Sequence, residues 1–306
     1  MTNYLLAGGG TAGHVNPLLA TADAIASESR ANQIWALGTA EGLESRLVPA
    51  RGYRLLTIKR LPFPRKLNRS AISFAPNFLK SVKQVQAYLR EHKIDVVVGF
   101  GGYASAPAYL AARREKVPLV IHEANALPGM ANRWAAAWAN AVGVAFKNTK
   151  LQNSIFVGMP LRKEIQQLAQ TSTTKADRVA ARAFFALDES STTLLVTGGS
   201  LGAKRINDTI EISRPLLRAA GVQVLHIVGD RSELEEVNEA DYVRIKYCDR
   251  MDLAITAADF AVARAGAATV AEFTAIGLPA VYVPYPVGNG EQKHNVASVI
   301  EAGGGI

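Results

Sequence analysis

The chain has 306 residues, with 34 lysines and arginines against 26 aspartates and glutamates and a net charge of +8. With 49% hydrophobic and 20% charged residues it is too apolar for a disordered chain, and 25 glycines and 13 prolines exclude a collagen-like one. A single cysteine excludes an internal disulfide framework and a cysteine-rich metal site, and it fits a reducing compartment.

In chain order, residues 4–7 form a short apolar strand that leads into Gly8-Gly9-Gly10-Thr11-Ala12-Gly13. Leu18, Leu19, Ala22, Ile25 and Ala26 then recur at helical spacing. Residues 33–37 make a second strand. Residues 95–98 make a third, a β-branched run without alternation, as in a strand buried on both faces. It ends in Gly99-Phe100-Gly101-Gly102. A fourth strand, 118–121, ends at His122-Glu123-Ala124-Asn125. The pattern then restarts. Strand 192–197 leads into Gly198-Gly199-Ser200-Leu201-Gly202-Ala203 and a helix, and strand 222–228 ends in Gly229. Strand 259–262 precedes Arg264-Ala265-Gly266-Ala267-Ala268-Thr269, and strand 280–283 ends in Pro284-Tyr285-Pro286.

A polar stretch, 171–175, lies between the two series, and the hinge is placed nearer Val157-Gly158-Met159-Pro160. Two series of alternating strands and helices imply two Rossmann-like, doubly wound α/β domains, residues 1–158 and 159–306. Ligands of such sheets bind outside the carboxyl ends of the strands, where every glycine cluster sits. The cleft between the domains is the expected site.

Charge is unevenly spread. Residues 45–90 hold eleven bases and no acid, so this segment carries +11 and the rest of the chain −3. Leu61, Phe63, Leu67, Phe74, Phe78 and Leu79 are interleaved with the bases. No nucleic-acid recognition motif accompanies them, so nucleic acid is not the expected partner. An anionic membrane surface fits better, since bases are attracted to it and Phe and Leu insert. No run approaches the ~18 apolar residues of a membrane-spanning helix. The first apolar run also lacks the basic start of a signal peptide, so a cytoplasmic protein is expected.

Gly8-x-Gly10-x-x-Gly13 matches the dinucleotide fingerprint, a weak signal by itself that suggests a nicotinamide oxidoreductase or only a tight βα turn. The second strand ends Ala36-Leu37-Gly38-Thr39 without the acid that a dinucleotide ribose needs, which disfavours the oxidoreductase. What the turn offers is N–H groups at a helix start, suited to phosphate. His14 comes directly after the turn, placed to accept a hydroxyl proton, although a lone histidine is more often structural. His122-Glu123 is no zinc motif, because Ala126 stands where a second histidine would be needed. No Asp-x-Asp pair, P-loop or Gly-x-Ser-x-Gly elbow is found. Gly198-Gly199-Ser200 is a second phosphate cradle, or an ordinary helix start with Ser200 as N-cap. Residues 265–272 set small side chains before Glu272, which either reaches a ribose diol or faces solvent.

Together these motifs resemble the MurG family. The runs 9–17 and 99–107 resemble its first two glycine loops, and 122–133 resembles its HE-x-N segment. Residues 198–203 match its third loop and residues 264–279 its donor signature. Gly290-Glu291-Gln292-Lys293-His294-Asn295 resembles an actinobacterial form of the family's pattern. The resemblance spans the whole chain in the family's order. It implies an inverting GT-B glycosyltransferase that moves GlcNAc from UDP-GlcNAc to undecaprenyl-diphosphoryl-MurNAc-pentapeptide (lipid I), making lipid II for peptidoglycan. It implies action at the cytoplasmic face of the plasma membrane, no metal and no cofactor, and cell-wall synthesis proteins as candidate partners.

The resemblance also implies roles for residues. His14 is the candidate base, with Glu123 as the alternative. Ser200 with its neighbouring N–H groups and Arg162 would hold the donor diphosphate. Cys248 would meet uracil through its backbone, Ala267, Ala268 and Thr269 would border the nucleotide, and Glu272 would bind ribose. Gln292 would read the GlcNAc hydroxyls. Thr11, Ala12, Gly13 and Asn125 would close over the sugar, while Gly101, Gly102 and Tyr103 would cradle the lipid I diphosphate. Leu201 and Ala124 replace glutamines of the commoner pattern, the first removing an amide contact to the donor. The chain stops at Ile306, where the family continues through another strand and helices. A binding protein without turnover, or a related GT-B glycolipid transferase, are the alternatives.

Overall fold

The computed structural model describes residues 1–61, 69–171, 173–286 and 290–306. Ser172 of the polar stretch, and Phe63, Arg65, Lys66 and Leu67 of the basic segment, lie outside the described residues. The chain divides into two compact units, Met1–Arg162 and Lys163–Ile306.

The first unit runs β1 (Asn3–Ala7), α1 (Ala12–Glu28), β2 (Gln33–Gly38), α2 (Glu44–Ala50), β3 (Arg54–Thr57), α3 (Arg69–Glu91), β4 (Val96–Gly99), α4 (Ser105–Glu115), β5 (Leu119–Glu123), α5 (Met130–Ala135), β6 (Ala141–Val144) and β7 (Ser154–Phe156). Its strands order as β3-β2-β1-β4-β5-β6-β7, all neighbours parallel. Both faces are covered, and the sequence shows why. Leu5, Ala7, Leu37 and Val97 pack to one side with Val82, Val85 and Leu89 of α3 and Ala108 and Ala112 of α4. Their neighbours Leu6, Ala36 and Val98 pack to the other with Val15, Leu18 and Leu19 of α1 and Val48 of α2. Alternate residues of one strand thus serve two apolar layers, which explains the unalternating valines of β4. Each fully buried leucine contributes roughly 1.5–3 kcal/mol.

The second unit runs α6 (Lys163–Gln170), α7 (Lys175–Phe184), β8 (Thr192–Thr197), α8 (Lys204–Ala219), β9 (Val222–Ile227), β10 (Val237–Glu239), β11 (Tyr242–Ile245), α9 (Met251–Ala257), β12 (Phe260–Ala263), α10 (Ala267–Ile276), β13 (Ala280–Tyr282), α11 (Glu291–Asn295) and α12 (Ala297–Glu301). The order is β10-β11-β9-β8-β12-β13, parallel except for the β10–β11 hairpin. Thr174 caps α7 through a reciprocal pair with Asp177.

In both sheets the chain order reverses beside the first strand, between β1 and β4 and between β8 and β12. Such switch points open crevices at the carboxyl ends of the strands. The first and second glycine loops flank one crevice. The third loop and the 264–272 segment flank the other.

Among the described residues no helix is long and apolar enough to cross a membrane. The basic segment is less uniform than its sequence suggests. Arg51 pairs with Asp23 at 2.7 Å and Arg90 with Glu115 at 2.6 Å, so these two bases meet carboxylates from outside the segment. Phe78 packs on the core, whereas Leu79 is exposed.

Candidate functional site

In the first unit, β1 ends at Ala7 and the chain turns through Gly10 at φ +89° into α1, with Thr11 as its N-cap residue. Thr11 Oγ1 lies 3.2 Å from His14 Nδ1 in the first turn of the helix. The second loop packs directly on the first. A Cβ at Gly102 would stand 2.5 Å from the Gly9 carbonyl oxygen, and one at Gly101 would stand 3.3 Å from Nε2 and Cδ2 of His14. Both glycines have φ near +85°, which other residues rarely adopt. Tyr103 is 41% exposed, and the Arg60 guanidinium sits 5.4 Å from its ring centre. Thr11, Ala12, Gly13, His14, Gly101, Gly102 and Tyr103 therefore form one surface.

Glu123 stands behind that surface. It is buried, and its Oε1 accepts from the Asn125 N–H at 2.8 Å. Its Oε2 accepts from Gly129 N and Asn132 Nδ2, both at 2.9 Å. Asn132 in turn accepts from the Tyr109 hydroxyl at 2.7 Å, and its amide lies 3.6 Å from where a Gly101 Cβ would be. With both oxygens engaged, Glu123 organises the loop that carries Asn125. Glu123→Gln must turn an amide N–H toward one of these donors. It is expected to cost about 1–3 kcal/mol, read as a lower midpoint in urea unfolding.

In the second unit, α8 begins at Lys204 with Ala203 as N-cap residue, so Ser200 is not the cap but a member of the turn before it. That turn rests on the loop after β9. A Cβ at Gly202 would lie 2.3 Å from the Val228 carbonyl oxygen, and Asp230 N donates to Ser200 O at 3.0 Å. Asn207 Nδ2 donates to the same Val228 carbonyl at 3.0 Å, and its Oδ1 lies 3.1 Å from His226 Nε2. His226 Nδ1 is 2.6 Å from the Tyr242 hydroxyl, which also meets Glu211. A buried polar chain thus supports the third loop from below.

Burial pushes the His226 imidazole down to about 4, with Glu211 raising it and Arg244 lowering it further. His226 has no exposed surface. Between pH ~6.5 and ~4 the unfolded chain therefore binds a proton that the folded chain refuses, and stability falls as pH falls. The loss is about 3 kcal/mol across that window. His122 is also lowered by burial and acts in the same direction. Urea midpoints measured from pH 7 to pH 4 should drop steeply in the wild type and less in His226→Gln.

Cys248 is buried in the loop between β11 and α9. Ala267, Ala268 and Thr269 open α10, and Glu272 is 6% exposed, so it does not face solvent. Gln292, in α11, accepts from Tyr285 N at 2.9 Å. Burial, with Arg205 nearby, holds the Arg264 guanidinium below its ordinary value, against the opposing effect of Tyr285. Arg264, just after β12, and Arg205, in the first turn of α8, thus bring positive charge to either side of the second crevice. Arg162 is the last residue of the first unit. Tyr109 and Asn207, and Glu44, which accepts from Gly10 N at 2.8 Å, hold these loops in place and have no local signal in the sequence.

Residues 4–144 match the glycosyltransferase family 28 N-terminal domain, and residues 193–306 match the family's C-terminal domain. A transferase of Leifsonia xyli subsp. xyli is 59% identical over 306 residues, covering all of this chain and 84% of the relative. It is named UDP-N-acetylglucosamine--N-acetylmuramyl-(pentapeptide) pyrophosphoryl-undecaprenol N-acetylglucosamine transferase. A Streptomyces coelicolor protein of the same name is 49% identical over 99% of this chain and 84% of its own length. The chain belongs to the MurG family of glycosyltransferases. The crystal structure of Acinetobacter baumannii MurG matches all of this chain and 85% of its own, at a TM-score of 0.73 and 26% identity. The fold class is therefore GT-B. The nicotinamide reading fails on chemistry as well. No acid stands at the end of β2 itself, and Glu44, six residues beyond it, is turned inward onto Gly10 and Thr39.

Proposed function

We propose that this chain transfers GlcNAc from UDP-GlcNAc to the MurNAc C4 hydroxyl of lipid I, giving lipid II and UDP. The observation that carries the reading is full-chain identity of 59% to a relative named for that transfer. The local geometry supports the residue roles. In the His14 tautomer protonated at Nδ1, that N–H donates to Thr11 Oγ1 and Nε2, on the Gly101 side of the ring, is the basic nitrogen. The C4 oxygen attacks the anomeric carbon from the face opposite UDP, its proton passes to His14 Nε2, and the C1–O bond to the diphosphate breaks with inversion. His14 is preferred to Glu123 because both Glu123 oxygens are engaged in the protein.

The 1–158 domain takes the acceptor and the membrane, and the 159–306 domain takes the donor. Gly101, Gly102 and Tyr103 cradle the acceptor diphosphate, while Thr11, Ala12, Gly13 and Asn125 close over the sugar. In the donor half, Ser200, the N–H groups of its turn and Arg162 meet the UDP diphosphate as charge develops on it. The Cys248 backbone meets uracil, Ala267, Ala268 and Thr269 border the nucleotide, Glu272 binds the ribose, and Gln292 reads GlcNAc hydroxyls. The charge of the leaving diphosphate is met by N–H groups and guanidinium, so the reaction needs no divalent metal. The enzyme works at the cytoplasmic face of the plasma membrane, held by exposed bases of the 45–90 segment and Leu79.

UDP release from UDP-GlcNAc, measured with and without a lipid I analogue in detergent and EDTA, tests this reading. Acceptor-dependent release in EDTA is the expected result. Saturable UDP binding without release would instead indicate a binding protein.

A further inference from the structure

Glu44, in the first turn of α2, is completely buried. Its Oε2 accepts from Gly10 N at 2.8 Å, and its Oε1 accepts from N and Oγ1 of Thr39, both at 2.8 Å. Thr39 directly succeeds β2, so one carboxylate ties the first glycine loop to the end of the neighbouring strand. Three glycines make room for it. A Cβ at Gly9, Gly38 or Gly42 would lie 2.4, 2.3 or 2.1 Å from its atoms. Burying a carboxylate is costly, and three converging donors offset that cost only at this geometry. The consequence for the loop is specific. The Gly10 N–H points into the protein, the residue is held at φ +89°, and Thr11 and His14 are placed from that fixed point.

We propose that Glu44 is a positioning residue for the acceptor half of the transfer reaction, fixing Gly10 and through it the Thr11–His14 pair beside the acceptor hydroxyl. This rests on the reading of His14 as base. It also divides the loop: the Gly10 N–H serves Glu44, and the part that closes over the sugar begins at Thr11. A glutamine at position 44 offers one oxygen to two N–H donors on different segments. Its NH2 group must face either Gly10 or Thr39, and the loop shifts.

The test is Glu44→Gln in the full chain, with Thr39→Val as a milder partner that removes only the hydroxyl donor. Hydrogen exchange is monitored over residues 8–14, and KM is measured separately for a lipid I analogue and for UDP-GlcNAc. Glu44→Gln should speed exchange in 8–14 by about tenfold while residues 222–229 keep their wild-type rates. It should raise the acceptor KM by about fivefold and lower kcat by about tenfold to a hundredfold, with a smaller rise in the UDP-GlcNAc KM, since Thr11, Ala12 and Gly13 close over its sugar, and with the affinity for UDP alone unchanged. Loss of folded protein alone would lower kcat and leave the acceptor KM where it was. Thr39→Val should shift the same two quantities less, and it carries the test if the glutamine variant does not fold. Unchanged exchange in 8–14, or an unchanged acceptor KM in folded variants, overturns the proposal. A wild-type chain that releases no UDP refutes the transferase reading instead, and the exchange rates then decide the loop claim by themselves.

Discussion

His14→Ala is expected to lower kcat for GlcNAc transfer by about 10²–10⁴-fold, the usual contribution of a positioned general base. The expectation rests on three features of the site. Thr11 Oγ1 sits at 3.2 Å from Nδ1, the helix start fixes the backbone, and Gly101 sets no side chain of its own against the Nε2 edge. UDP affinity, measured by calorimetry, should match the wild type, because the donor residues of the second unit are untouched. His14→Gln keeps the hydrogen-bonding shape but cannot take a proton at neutral pH, so its loss should be nearly as large. Turnover within about threefold of the wild type would remove the base role, since a base contributes far more than that.

The second large effect is expected at Gly229. It has φ +92°, and a Cβ there would lie 2.1 Å from Gly202 N and 2.3 Å from Gly202 Cα. Those are backbone atoms of the turn that carries Ser200, and they cannot rotate away. Gly229→Ala therefore combines left-handed strain of roughly 1–3 kcal/mol with a displaced diphosphate cradle. UDP affinity should fall by about tenfold or more, since misplaced donors lose charge-assisted hydrogen bonds. Gly221→Ala is the control. Gly221 also has a positive φ, +68°, but nothing lies within 4 Å of its would-be Cβ. It should cost only about 1 kcal/mol of backbone strain and leave UDP binding as it was. Equal loss of UDP affinity in the two variants would contradict the role given to the Gly202–Gly229 contact.

The central strands were legible because apolar runs bounded by glycine or proline recur along the chain. Strand 192–197 matches β8 residue for residue, and the valines of 95–98 overlap β4 within one residue. The short strands toward the edges were not legible. Arg54–Thr57, Ala141–Val144, Ser154–Phe156 and the β10–β11 hairpin are strands of only three or four residues each and lack a long apolar run. They become strands because a neighbour presents unpaired N–H and C=O groups, which is tertiary information.

The site divides in the same way. Glycine loops are visible locally, since a turn at positive φ demands the residue type itself. Glu44 is visible only through partners 5 and 34 residues away, and Glu123 through partners up to nine away. In sequence both are ordinary carboxylates. The basic segment shows the reverse error. Eleven bases in an acid-free stretch suggested one face, yet Asp23 and Glu115 come from outside the segment to pair with Arg51 and Arg90. Glu272 likewise gave no sign of burial, because the small residues around it are uninformative about which side of α10 is covered.

The most direct measurement is transfer of labelled GlcNAc from UDP-GlcNAc onto a MurNAc-diphospholipid acceptor in detergent with EDTA, with the product identified by mass. The proposed reaction predicts one GlcNAc added per acceptor, dependent on the acceptor's free C4 hydroxyl and undiminished by EDTA. A chain that binds UDP but adds no sugar, or that adds sugar equally to an acceptor blocked at C4, would contradict the account.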